Sequence, residues 1–162
     1  MSDEITIRLA SREDADDLIR FNRAMARETE NKELIEDVIA SGVRELLNNS
    51  ALGFYVVAEL DSEVISSLMI TMEWSDWRNG VFWWIQSVYV LPSHRRKGIY
   101  RKLYEFVKDR ANEDNNVCGF RLYVEKDNLP ARRTYEALCM KELDYKMYEE
   151  LKETVEFFEK AT

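Results

Sequence analysis

Apolar residues alternate with polar ones at the head of the chain. Ile5, Ile7 and Leu9 share one face of "ITIRLA", which predicts a strand over 5–10. The period then changes. Ser11 is placed to cap a helix, with Asp14 three residues on in a capping-box position, and the helix is predicted over 12–28. A second helix is predicted over 32–48, where Leu34, Ile35, Val38, Ile39, Leu46 and Leu47 fall on one side and Gly42 interrupts the pattern. Two alternating runs, 53–60 and 64–74, flank "DSE" and predict a β-hairpin. A polar loop covers 75–80. The run "VFWWIQSVYV" (81–90) is apolar on both faces and predicts a central strand that Pro92 ends. A helix over 98–112, a strand over 119–125, a short helix over 128–139 and a strand over 143–151 complete the pattern. The charged tail after 151 is open between strand end, short helix and loose end. The order predicts an α/β fold, a mixed central sheet flanked by helices, as a single domain over 1–162.

Composition narrows the function classes. The net charge of −8 argues against nucleic-acid binding, which needs a broad basic face, and weakly favours cationic small molecules. Two cysteines, Cys118 and Cys139, and one histidine, His94, are too few for a Cys/His zinc site or a disulfide framework, so no metal is expected. The head of the chain lacks a signal-peptide pattern, and no apolar run is long enough to span a membrane. The expected location is the cytoplasm, with no membrane partner.

The densest positive charge of this acidic chain, Arg95, Arg96 and Lys97, runs into Gly98 at the start of a predicted helix. The first N–H groups of a helix lack internal partners, and the dipole adds positive potential there. A glycine lets an anion approach the backbone. This pattern suits a pyrophosphate; a solvated surface cluster beside a turn glycine is the plainer alternative. Neither G-x-x-x-x-G-K-[ST] nor G-x-G-x-x-G occurs.

The stretch "VYVLPSHRRKGIYRKLY" resembles the central motif of the GNAT superfamily of acyl-CoA-dependent N-acyltransferases: a strand, a turn with proline, then Gln/Arg-x-x-Gly-x-Gly/Ala opening a helix. Arg95, Gly98 and Tyr100 fill the three marked positions, with Tyr100 where Gly or Ala is usual. "NLPARRTYEALCM" resembles the family's later motif at Asn128, Ala131, Tyr135 and Glu136, with Cys139 where Gly is usual and Met140 where Phe is common. The opening "IRLASREDADDLIRF" is also similar to the family's first strand and helix.

The resemblance implies a GNAT-like fold, acetyl-CoA as cosubstrate and transfer of acetyl to a primary amine by direct attack. The main chain of Val88, Tyr89 and Val90 would bind the pantetheine arm and polarise the thioester. Arg95, Arg96, Lys97, Gly98, Ile99 and Tyr100 would hold the pyrophosphate. Tyr135 would act as general acid, since a phenol is protonated at neutral pH; on pattern alone, without the motif, a core residue of an amphipathic helix is the favoured reading. Asn128 is open between a pantetheine contact and a helix cap. Glu73 is the favoured general base, with Asp76, Glu28 and Glu30 as alternatives. His94 reads as solvated and Cys139 as an inert thiol.

The four tryptophans, all within "EWSDWRNGVFWW", are open between core, acceptor pocket and dimer contact. A small-molecule amine is the expected acceptor, and a homodimer the expected assembly. A protein or peptide N-acetyltransferase and a non-catalytic CoA-binding module are the alternatives.

Overall fold

Five strands line up in sequence order in the computed structural model, which describes residues 4–160. They are β1 (Thr6–Leu9), β2 (Gly53–Leu60), β3 (Glu63–Ser75), β4 (Gly80–Val90) and β5 (Val117–Arg121). The helices are α1 (Ala15–Glu30), α2 (Glu36–Asn48), α3 (Ile99–Asn112) and α4 (Leu129–Ala137). The chain forms two compact units. One holds the residues up to Leu122 together with the tail from Phe157; the other is Tyr123–Glu156.

In the first unit β1 to β4 pair antiparallel and β4 pairs parallel with β5, so the sheet is mixed as the pattern predicts. Asp61 and Ser62 both adopt positive φ, 50° and 67°, which makes the β2–β3 connection a two-residue turn whose twist matches that of the strands. One sheet face carries Tyr55, Val57, Val64 and Tyr89 against Leu18, Ile19 and Phe21 of α1 and Val43 and Leu46 of α2. By alternation the other face carries Val56 and Ala58, and α3 lies against β1, β2 and β3 with Leu103 and Val107 fully buried. Both faces of the central strands are covered, which is why their sequences are apolar on both sides.

Several expectations shift. Gly42 lies inside α2 with no heavy atom near the Cβ position, so it does not interrupt the helix. Val38 is exposed, and the buried side of α2 centres on Val43 and Leu46. β5 begins two residues earlier than predicted, because Val117 already pairs with Val81, and it ends at Arg121, short of the predicted 125; within it Gly119 registers with Phe82. A Cβ at 119 would lie 2.9 Å from the Phe82 ring, so the small residue belongs at this crossing. The tail does form structure: Ile35 donates to the Phe157 carbonyl at 3.0 Å and Glu159 to the Glu33 carbonyl at 2.7 Å.

In the second unit α4 is capped by Asn128, whose side-chain oxygen accepts from Ala131 N–H at 3.3 Å, and Arg132 pairs with Glu142 at 2.8 Å. No strand forms over 143–151, contrary to the pattern. Leu143, Tyr145, Met147 and Tyr148 are exposed there. Alternation makes a strand only where a neighbouring backbone completes its ladder.

The start of α1 rests on one buried carboxylate. Asp14 is 5% exposed, takes both terminal nitrogens of Arg8 at 2.8 and 2.9 Å, and accepts from Ser11 N–H at 2.7 Å. The Arg8 hydrogen bond is the main reason its carboxyl lies below the usual aspartate range. A depressed folded value contributes stability above the unfolded value of about 4, and that contribution is lost as pH falls through the folded value. Asp14→Asn is expected to lower unfolding free energy by about 1–3 kcal/mol at pH 7. It should also flatten the acid limb of a urea-denaturation pH series.

Candidate active site

β4 lies inside the sheet, between β3 and β5, with bulky side chains on both faces, yet the strand is not regular. Ser67 pairs with Tyr89 and the next pair is Met69 with Gln86, so β4 spends one more residue than β3. Ser87 and Val88 therefore face Leu68 together, and Ser87 adopts φ 50°. This is a β-bulge with a non-glycine residue in the left-handed region, which costs about 1 kcal/mol or more and persists only where packing over-determines it. Ile85 and Tyr89 on either side are buried. Ser66, fully buried on β3, donates from its hydroxyl to the Tyr89 carbonyl at 2.7 Å and ties the far side of the bulge.

The opposite edge of β4 opens at the same place. β5 pairs with β4 only as far as Trp84, while β4 continues to Val90. Leu91 N–H donates to the Ile65 carbonyl at 2.9 Å, so Leu91 and Ile65 form a hydrogen-bonded pair. Their neighbours Val90 and Ser66 are then a non-bonded pair, and the N–H and C=O of Val90 face away from β3. Of the two, the carbonyl accepts from Arg95 Nε, which leaves the Val90 N–H on the open edge.

The cationic turn follows directly. A short helical turn at Pro92–His94 leads into Arg95, and Arg96 and Gly98 both take left-handed conformations, φ 63° and 72°, on either side of Lys97. Alternating handedness gathers successive N–H groups into a concavity that suits an anion, at the N-terminus of α3. Arg96, Lys97 and Gly98 are exposed and Ile99 is buried, so Ile99 anchors the helix start beneath the turn. The Tyr100 ring stacks on Tyr104, centroids 6.1 Å apart and planes 4° off parallel.

Arg95 departs from the expectation. Its guanidinium turns back: Nε donates to the Val90 carbonyl at 2.9 Å, Nη2 pairs with Glu28 at 2.7 Å, and the group lies 5.4 Å from the Tyr89 ring. Tyr89 points from β4 toward α1, stacks near Phe21 and donates its hydroxyl to Glu28 at 3.0 Å. Burial, then the Glu28 carboxylate, pushes its phenol up from the ordinary tyrosine value.

Glu73 lies elsewhere on the strand. It registers with Phe82, six residues before Val88, which is about 20 Å along β4. Its Oε1 accepts from Arg121 at 2.6 Å and from the Trp84 indole at 3.3 Å, while Arg121 stacks 3.8 Å over Phe82. This is a cross-strand charge cluster remote from the bulge. Trp83 is buried, whereas Trp74 and Trp77 are exposed, so the tryptophan run divides between core and surface.

Asn128 and Tyr135 both lie on the second unit. Asn128 caps α4, and burial pushes the Tyr135 phenol up. Among the described residues no group of three or more His, Cys, Asp or Glu is placed to hold a metal, and no helix is long and apolar enough to cross a membrane. Sequence reasoning placed Glu28 only among possible bases; its pairing with Arg95 across 67 residues left no local signal.

Residues 15–139 match the model of the acetyltransferase (GNAT) family. The chain belongs to this family. It is an acetyl-CoA-dependent N-acetyltransferase. An N-alpha-acetyltransferase of Saccharolobus solfataricus is 30% identical over 149 residues, covering 86% of this chain and 82% of the relative. The crystal structure of a possible acetyltransferase from Clostridium difficile shares 49% identity with a TM-score of 0.84, covering 91% of this chain and 97% of that one. The aminoglycoside N-acetyltransferase AAC(6′)-Iy, solved in complex with CoA, has the same fold at 14% identity, with a TM-score of 0.71 and coverage of 93% and 97%. Because the bulge is strained, this acetyltransferase should tolerate relief of it better than stiffening. Ser87→Gly is expected to leave stability unchanged or slightly higher. Ser87→Val should lower it by about 1–2 kcal/mol in urea titrations.

Proposed function

We propose that the protein moves an acetyl group from acetyl-CoA to the primary amine of a small cationic molecule, by direct attack, with the chain from 1 to 162 acting as one acetyltransferase domain. The observation that carries this reading is the β4 bulge, with its open edge running straight into the cationic turn. An extended pantetheine arm has backbone partners at Val88 and Val90, Tyr89 between them turning its N–H and C=O to β3, and a pyrophosphate has the N–H groups and charges of Arg96, Lys97, Gly98, Ile99 and Tyr100. Acetyl-CoA supplies an activated thioester carbon. Backbone donors aimed at the thioester oxygen would stabilise the developing oxyanion by a few kcal/mol.

The later family motif supports Tyr135 as the acid that protonates the departing thiolate, and Asn128 as a second pantetheine contact beside its capping role. A half-buried phenol, pushed by desolvation above its ordinary value, keeps its proton across the neutral range. Glu73, committed to Arg121 and remote from Val88, is not carried forward as the base. The amine proton leaves through solvent near the bulge. The net charge of −8 supports a cationic acceptor.

A second reading, acetylation of a peptide N-terminus, is favoured by the identity with the archaeal N-alpha-acetyltransferase. Rates of CoA release with free diamines and amino sugars, set against rates with short peptides bearing free N-termini, separate the two. Faster release with the small amines is expected; release with peptides alone would replace the small-molecule reading. Tyr135→Phe is expected to reduce kcat by about 100-fold or more with little change in acetyl-CoA affinity. The wild-type rate should fall on the alkaline side only above pH 10, as the phenol loses its proton; a Phe variant with wild-type kcat would remove Tyr135 from the mechanism.

A further inference from the structure

The Glu28–Arg95 pair joins two parts of the chain that the coenzyme reading treats separately. Glu28 lies in the last turn of α1, and Arg95 opens the turn before α3. One carboxylate accepts from two directions, Oε1 from the Tyr89 hydroxyl at 3.0 Å and Oε2 from Arg95 at 2.7 Å. Arg95 in turn is held at three points: Glu28, the Val90 carbonyl and the face of Tyr89. A planar guanidinium with donors in a fixed fork is well suited to such a three-way fit; a lysine ammonium, a single point charge, is not.

The consequence falls on the Val90 peptide edge. Its C=O and N–H face the same way, away from β3. Left uncapped, that carbonyl would present negative potential to an incoming acyl or phosphate oxygen. Arg95 Nε covers it and leaves the N–H beside it to donate.

We propose that Glu28 is a positioning residue for coenzyme binding: it holds Arg95 on the Val90 carbonyl, so that Arg95 acts through the backbone edge of β4 and not as a phosphate ligand. This rests on the coenzyme reading above. The pair is solvent-facing, with side-chain exposures of 43% and 40%, so its direct contribution to stability is small. Its effect is on the geometry of the edge.

The two roles for Arg95 predict opposite signs for one substitution. If Arg95 were a phosphate ligand, Glu28 would compete for it and repel the coenzyme's phosphates, and Glu28→Gln would tighten binding. If Glu28 positions Arg95, Glu28→Gln weakens binding. The test is calorimetric titration of acetyl-CoA into wild type, Glu28→Gln, Arg95→Ala and the double variant, with circular dichroism and melting temperature as folding controls. Expected are losses of about tenfold for each single variant, near-wild-type melting temperatures, and a double variant no weaker than Arg95→Ala alone. Arg95→Lys should fail to restore affinity. Glu28→Gln binding as tightly as wild type or tighter, or additive losses in the double variant, would overturn the proposal. Wild type that does not bind acetyl-CoA would overturn the coenzyme reading and this one with it, a result distinct from an unaffected Glu28→Gln.

Discussion

A left-handed serine in the middle of a β-strand is the constraint on which this site is built. Strands favour extended backbone, and Ser87 gives that up at a cost that local sequence does not repay. The repayment comes from both flanks. Tyr89 is buried against Phe21 on one side of the bulge, and Ile85 is buried on the other. Ser66 fixes the Tyr89 carbonyl from β3. With those contacts in place, β4 gains one residue relative to β3 and diverges from β5 after Trp84. The edge of β4 is then open only beyond Trp84, which limits the backbone exposed to unwanted pairing.

Charge is distributed in the same economical way. The chain is acidic overall, yet three of its arginines are each tied to a carboxylate far away in sequence: Arg8 with Glu59 (and with the nearer Asp14), Arg121 with Glu73, Arg95 with Glu28. Each pair closes a different junction: the entry to α1, the β3–β4–β5 crossing, and the joint between α1 and the turn before α3. Arg96 and Lys97 stand exposed at the turn before α3. Net charge therefore does not locate the cationic turn; which cations the fold leaves away from carboxylates does.

Much of the fold was legible because burial leaves a periodic trace. Alternation and helical spacing located β2 to β4, α1 and α3 closely, since each buries one face; β1 and α4 were located too, though neither has a fully buried residue. The turn at 95–98 was legible too, because a glycine beside three cations is a local feature. Other readings failed for identifiable reasons. Leu143, Tyr145 and Met147 alternate, but without a paired neighbour their backbone forms no ladder. Gly42 reads as a break, yet an exposed helix position only raises the cost and does not end the helix.

By itself the sequence determined the order and type of most elements, the family, and the place of the cationic turn, because these depend on contacts within a few residues or on burial along one segment. The tertiary structure alone decided that Ser87 is left-handed, that Arg95 turns back to Val90, and that Glu73 and Glu28 exchange the prominence a linear reading gives them. Those outcomes depend on strand register and on pairs separated by up to 67 residues. A side chain's own neighbours in sequence carry no record of where a bulge shifts the ladder or which distant carboxylate arrives beside it.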